Sequence, residues 1–263
     1  MKYAISRDLF DPKLAWTFHS WTHKDLRYYD TVDQVTPDRI LLTHHHAPWV
    51  SPLKEYIASG RPWIEIEYGY WGPDTPRRET RRVTYRGHHN LNMRTVPHSR
   101  QNLFPNPPHR PWRRTPGEYV LAIQPVEVIL TDRTGEDMDQ FHERITKEIR
   151  RYWSGEIKWR HKPGGKKPGR WESFVEQASQ AHAVVGERTM SCVESCLLGI
   201  PAYTIDTSMV TLLMGPIENL AHIQYPDREA WWEHICWSQF NRAEFSTSVP
   251  ADLVEIYQIL PSL

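Results

Sequence analysis

Between Glu156 and Asp206 the chain alternates between apolar runs of strand length and stretches of helical period, and every run closes in polar residues. Segment 156–163 reads as a strand that stops in Arg160, His161 and Lys162. A helix follows from Trp171 to Ser179, then a strand over 181–188 that ends in Glu187 and Arg188. A second helix runs from Thr189 to Leu198, Gly199 is its stop signal, and Pro201 to Asp206 is a third short strand. Strand, helix, strand in this rhythm is the signature of a parallel α/β sheet. In such sheets ligands bind outside the carboxyl ends of the strands, which is where these polar residues fall.

The polar set has the chemistry of a nucleotide diphosphate pocket. Arg160, His161 and Lys162 can neutralise phosphate, and a helix that opens at Thr189 and Ser191 offers backbone N–H donors. Glu194, one turn inside that helix, can accept from ribose hydroxyls, and Glu187 is a second candidate. Gln124 and Arg188, also at strand ends, complete the expected donor-binding set.

This pattern, a basic turn after one strand followed by Ser191, Glu194, Gly199 and Pro201 at their spacing, resembles the donor domain of GT-B-fold glycosyltransferases, especially phage-encoded and capsule-type ones. Segments 60–70, 85–92 and 227–239 resemble the phage branch. The resemblance implies an α/β, GT-B-like fold of two Rossmann-like domains facing a cleft. It implies a nucleotide-sugar donor, a UDP-sugar first, in the C-terminal domain and an acceptor in the N-terminal one, with no obligatory metal. One departure stands out: many such enzymes place seven residues between two glutamates, and six lie between Glu187 and Glu194.

The remaining elements fit two domains. Met1 to Ile5, Asp38 to His44 and Trp63 to Glu67 read as strands, with a helix from Ser51 to Ser59. Residues 72–116 are rich in Pro and Arg and lack periodicity. Tyr119 to Gln124 starts the second domain, and Phe141, Ile145 and Ile149 mark an amphipathic helix over 138–153. Helices are expected over 228–240, where Trp231, Trp232, Ile235, Trp237 and Phe240 form a packing stripe, and over 251–259. The domains are thus expected at 1–116 and 117–263.

Charge is balanced over the whole chain, 32 basic against 32 acidic residues, so bulk electrostatics selects no partner. The balance fails locally. Between Thr75 and Thr115 lie ten arginines, no lysine and one acid, Glu79, interleaved with Tyr85, Phe104 and Trp112. Guanidinium binds phosphate in a bidentate manner and stacks on bases, so Arg77, Arg78, Arg81, Arg82, Arg86 and Arg94, with His88, Asn90 and Asn92, are expected to contact a nucleic-acid acceptor. With the phage resemblance this implies sugar transfer to a 5-hydroxymethylpyrimidine in duplex DNA. The rival readings are a sugar enzyme of polysaccharide metabolism and a non-catalytic nucleic-acid-binding protein.

Transfer needs a base for the acceptor hydroxyl. Glu67, flanked by Trp63, Tyr68, Tyr70 and Trp71, is the expected general base, with His45 and His46 as alternatives beside His44. Consecutive histidines on an extended segment cannot all face one metal ion. Three cysteines cannot all pair within the chain, which points to reduced thiols and a cytoplasmic setting. No apolar run approaches the roughly 18 residues of a membrane span.

Overall fold

The computed structural model describes residues 3–6, 26–44, 51–70, 80–85, 110–161, 170–241 and 244. The chain forms two compact units, Met1–Leu103 with Glu233–Leu263, and Phe104–Trp232. The sequence reading set the boundary at 116.

In the first unit, strands β1 (Tyr3–Ser6), β2 (Leu26–Tyr29), β3 (Ile40–His44), β4 (Trp63–Tyr68) and β5 (Thr80–Tyr85) are joined by β10 (Gln239–Asn241) in the order β10-β5-β4-β3-β1-β2. The strands from β2 to β4 are parallel, while β5 and β10 are antiparallel additions. Helix α1 (Ser51–Ala58) connects β3 to β4 and buries Leu53 and Tyr56 in a core with Ala4, Leu41 and Trp63.

The second unit carries β6 (Tyr119–Ile123), α2 (Glu127–Thr134), α3 (Met138–Arg150), β7 (Glu156–Arg160), α4 (Arg170–Gln180), β8 (Ala181–Gly186), α5 (Met190–Leu197), β9 (Ala202–Thr204) and α6 (Met209–Met214). Its sheet is wholly parallel, in the order β7-β6-β8-β9. Numbered from the first strand of each unit, both parallel sheets run 2-1-3-4. Helix α7 (Glu229–Trp237) leads to β10.

The central strands are buried on both faces, which is why β6 and β8 read as largely apolar runs. Helix α3 begins where Asp137 accepts from the Gln140 N–H at 2.8 Å while Gln140 Oε1 accepts from the Asp137 N–H at 3.0 Å, a reciprocal cap. Its buried stripe is the expected Phe141, Ile145 and Ile149. All three cysteines are buried and none is in a disulfide. Burial pushes the Cys196 thiol up to about 12.

Two expectations are corrected. Residues 72–116 are not uniformly irregular, because β5 lies inside them, and 228–240 is not one helix, because α7 stops at Trp237 before the turn into β10. The aromatic stripe does pack: Trp231, Trp232, Ile235 and Phe240 are all buried. The expected helix at 251–259 lies outside the described residues.

The stretch 110–114 is a strap bonded onto the second unit. The backbone N–H groups of Arg110 and Arg113 donate to Leu197 O and Gly199 O, and Trp112 Nε1 donates to Pro226 O at 2.7 Å. Arg228 donates to the carbonyls of Cys196 and Arg110 with its guanidinium 4.3 Å from the Trp112 ring. Gly199 makes this approach possible. Its φ is +77°, and a Cβ there would stand 2.1 Å from Pro111 O. Gly199→Ala is therefore expected to lower stability by about 1–3 kcal/mol, measured as a lower urea midpoint followed by tryptophan fluorescence; an unchanged midpoint would refute this account of the strap.

Candidate functional site at the carboxyl ends of the second sheet

Strand β6 is paired on both edges with later strands, β7 and β8. The chain leaves β6 towards β7 and leaves its neighbour β8 towards β9, in opposite directions, so a crevice is expected outside the carboxyl ends of β6 and β8, the usual ligand position in such sheets. Gln124 follows β6, His161 follows β7, Glu187 and Arg188 follow β8, and Asp206 follows β9.

The backbone N–H of Gln124 donates to Arg160 O at 3.1 Å, tying the ends of β6 and β7 together. Its side-chain oxygen lies against Nδ1 of His161 and 3.3 Å from Nε2 of His142. The His142 ring lies tilted against Trp159, with the ring centroids 4.1 Å apart. Burial, and secondly the nearby His161, lowers the His142 pKa below 6.5, against a smaller opposing effect of Asp139.

Arg160 turns away to helix α4, where it donates to Gln177 Oε1 at 2.7 Å and Ser173 Oγ at 3.3 Å over the Phe174 ring. Of the basic turn, His161 is the exposed member among the described residues, and Lys162 lies outside them.

Across the crevice Arg144 binds Glu136 through Nε and Nη2 at 2.7 and 2.9 Å, and Glu187 through Nη1 at 2.9 Å. The Glu136 hydrogen bond is the main cause of the raised Arg144 pKa, and the same bond lowers that of Glu136. Glu187 is thus held by a cation on α3, an engagement the ribose expectation did not include.

Arg188 has φ +45°, the one non-glycine residue with positive φ among the described residues. Strain of this kind is held in place by its surroundings. Here the Arg188 N–H donates to Asp206 Oδ1 at 3.0 Å, and its Nε is 3.8 Å from Oδ2. Burial raises the Asp206 pKa, with the Arg188 N–H opposing. The side chain of Arg188 is 43% exposed, so its cation remains open to a ligand. Thr189 caps α5 by accepting from Ser191 N at 3.3 Å. Gly186 lets this turn pack closely, since a Cβ there would sit 2.4 Å from Thr189 Cγ2. Glu194 is only 4% exposed, inside the buried run Cys192–Leu197.

The expected acceptor residues fall elsewhere. Glu67 is buried in β4, with one carboxylate oxygen accepting from the Tyr68 N–H at 2.9 Å and its register partner Arg82 across the ladder. Arg81 lies 4.7 Å from the Tyr68 ring. Desolvation lowers its pKa to about 10, while Tyr68 and Glu67 oppose the shift. Arg82 is 3.7 Å from Glu65, both nearly inaccessible. Arg81 and Arg82 are interior residues of β5 rather than phosphate contacts on a loop. His45, His46, Arg77, Arg78, Arg86, His88, Asn90, Asn92 and Arg94 lie outside the described residues.

Sequence reasoning missed His142, Arg144, Glu136 and Asp206 as site residues. A signal for the first two exists. Helix α3 runs back against the parallel strands, so its first turns must lie at their carboxyl ends, and His142 and Arg144 flank the buried Phe141 and Ile145 there. Among the described residues no group of three or more His, Cys, Asp or Glu is gathered for a metal, and no helix is long and apolar enough to cross a membrane.

No family profile matches the chain, and no curated protein sequence does. Solved structures do. The β-Kdo 2,4 transferase of KpsC from Thermosulfurimonas dismutans is 13% identical over 97% of this chain and 98% of that one, with a TM-score of 0.50. The β-Kdo 2,7 transferase of KpsC from the same organism is 12% identical over 98% and 100%, with a TM-score of 0.49. The likeness to the first is one of fold, and the expected GT-B-like α/β architecture is the fold observed.

Two measurements check the electrostatics. The folded pKa of Glu136 lies below its ordinary 4.5, so its contribution to stability is complete above that value and is lost as pH falls through the depressed one. Arg144→Met should flatten this acid limb in urea midpoints recorded from about pH 6 to about pH 3; a slope equal to the parent's would exclude the Arg144–Glu136 coupling. For His142, an NMR titration should give a midpoint below 6.5 that rises part of the way back in His161→Ala.

Proposed function

We propose that this chain is a glycosyltransferase that takes a nucleotide-sugar donor at the carboxyl edge of the second sheet and transfers the sugar to a carbohydrate hydroxyl. What supports this reading is that Gln124, His161, Arg188 and Asp206 each follow the carboxyl end of a strand in a parallel sheet whose winding reverses, paired as Gln124 with His161 and Arg188 with Asp206, in a GT-B-like fold. In the transfer, the bond from the anomeric carbon to the donor's phosphate oxygen breaks and a bond to the acceptor oxygen forms. The acceptor proton passes to a base, and the nucleotide leaves with added negative charge. Arg188, His161 and the start of α5 supply N–H donors, and Arg188 a cation, for that leaving group, and Asp206 is assigned to the ribose hydroxyls.

A carbohydrate acceptor is favoured over DNA by the placement of the arginines. Arg81 and Arg82 are interior, Arg113 donates to the carbonyls of Ser179 and Ala181, and Arg114 lies 5.4 Å from the Tyr225 ring. Arg81 and Arg82, the described members of the arginine set expected on a nucleic acid, are thus engaged within the protein, while Arg110 and Arg114 are exposed.

The test begins with thermal unfolding against UDP-, GDP- and CMP-linked sugars, CMP-Kdo among them because the transferase of like fold is named for Kdo. One class should raise the midpoint, by about 2.7 kcal/mol of added stability at a hundredfold excess over Kd, and Arg188→Ala should remove the effect. The donor so identified is then incubated with oligosaccharides or with duplex DNA containing 5-hydroxymethylpyrimidines, and products are weighed by mass spectrometry. A sugar-sized gain on the oligosaccharide is expected. A gain on the nucleoside would overturn the acceptor, and neither binding nor hydrolysis of any donor would overturn the reading as a whole.

A further inference from the structure

We infer that Gln124 is a positioning residue: its amide oxygen accepts from Nδ1–H of His161 and from Nε2–H of His142 together, fixing the tautomers of both rings and leaving Nε2 of His161 as the ring nitrogen offered to a ligand. The Oε1 atom is the one both imidazoles approach. An amide oxygen only accepts, so each ring nitrogen that meets it must carry a hydrogen. In a neutral imidazole the other nitrogen is then bare; in an imidazolium it is a second donor.

The reverse amide orientation would serve only one charge state. An NH₂ group facing the two rings needs bare nitrogens on both, and protonation of either would set donor against donor. The oxygen accommodates every combination. That matters at a site built to hold an anion, since an anion favours the protonated ring.

The surroundings make the arrangement stiff. His142 lies 4.1 Å from the Trp159 ring and is flanked by Phe141, whose ring is 6.3 Å away. Its desolvation keeps the ring on the neutral side, with Asp139 on its own helix and His161 after β7 as the ionisable groups that act on it. Gln124 is anchored by its backbone bond to Arg160 O, one residue before His161. His161 itself is exposed, so the amide is what orients it. The site role given to His161 rests on the proposed function; the tautomer lock does not.

The experiment labels histidine with ¹⁵N and records two-bond proton–nitrogen correlations at about pH 8.5, where imidazole is ordinarily neutral. His161→Ala assigns the signal. Wild type should show His161 with hydrogen on Nδ1, Gln124→Glu should retain it because a carboxylate still accepts, and Gln124→Leu should return it to the Nε2–H form usual in free histidine. Hydrogen on Nε2 in the wild type overturns the lock, whether or not the leucine variant folds. UDP, GDP and CMP affinities are then measured by calorimetry, and Gln124→Leu should weaken the nucleotide that wild type binds by about tenfold. Equal affinity in the two proteins overturns the positioning role. If wild type binds none of the three nucleotides, the donor-site reading fails, and the tautomer signal still decides the lock.

Discussion

Pairing of β6 on both edges with strands that follow it in the chain is the constraint from which the candidate site follows. A strand so placed forces the winding of the sheet to reverse. The connections on either side diverge, and a gap opens that neither fills. The helix leading from β6 towards β7 must run back against the strands, so its beginning lies at the same edge as the gap. The reciprocal cap between Asp137 and Gln140 fixes where that beginning is, which puts His142 and Arg144 within the first two turns. One imidazole and one guanidinium then reach to opposite sides of the crevice, the first to Gln124 and the second to Glu187. The first sheet repeats the same strand order with two antiparallel strands added at one edge.

Much of this was legible in the residues. The parallel strands were visible because strands covered on both faces are largely apolar: β6 is so throughout, and β8 is interrupted by His182 alone. Glycine at 199 marked a helix end that the strap later exploits. What was hidden was hidden for physical reasons. Strand β5 reads Thr-Arg-Arg-Val-Thr-Tyr, a pattern that looks solvated until Glu65, Glu67 and the Tyr68 ring are known to cover it. Strand β10 was masked because Trp231, Trp232, Ile235 and Phe240 keep a helical period across the turn that ends α7. His142 and Arg144 escaped because periodicity reports which residues a helix buries, and these two stand beside the buried stripe.

Arginine carries several unrelated duties here. At 81 and 82 it lies within a sheet opposite carboxylates and phenol rings; at 113 and 228 it bridges pairs of backbone carbonyls. A planar fork of donors suits this because each carbonyl pair is met by two N–H groups held at fixed spacing. Lysine has three donors, but all on one nitrogen, so it lacks the fixed spacing with which the fork meets two separate carbonyls. The composition of the arginine-rich stretch therefore reflects, in its described part, demands of the interior as much as of any surface.

The placement of the thiols has an experimental use. Cys192 and Cys196 lie in the second unit and Cys236 in the first, all inaccessible. Desolvation holds Cys192 and Cys196 protonated, so alkylating reagents meet no thiolate while that unit stays closed. Modification of these two residues is accordingly gated by opening of the second unit, which gives that half of the chain a native chemical clock.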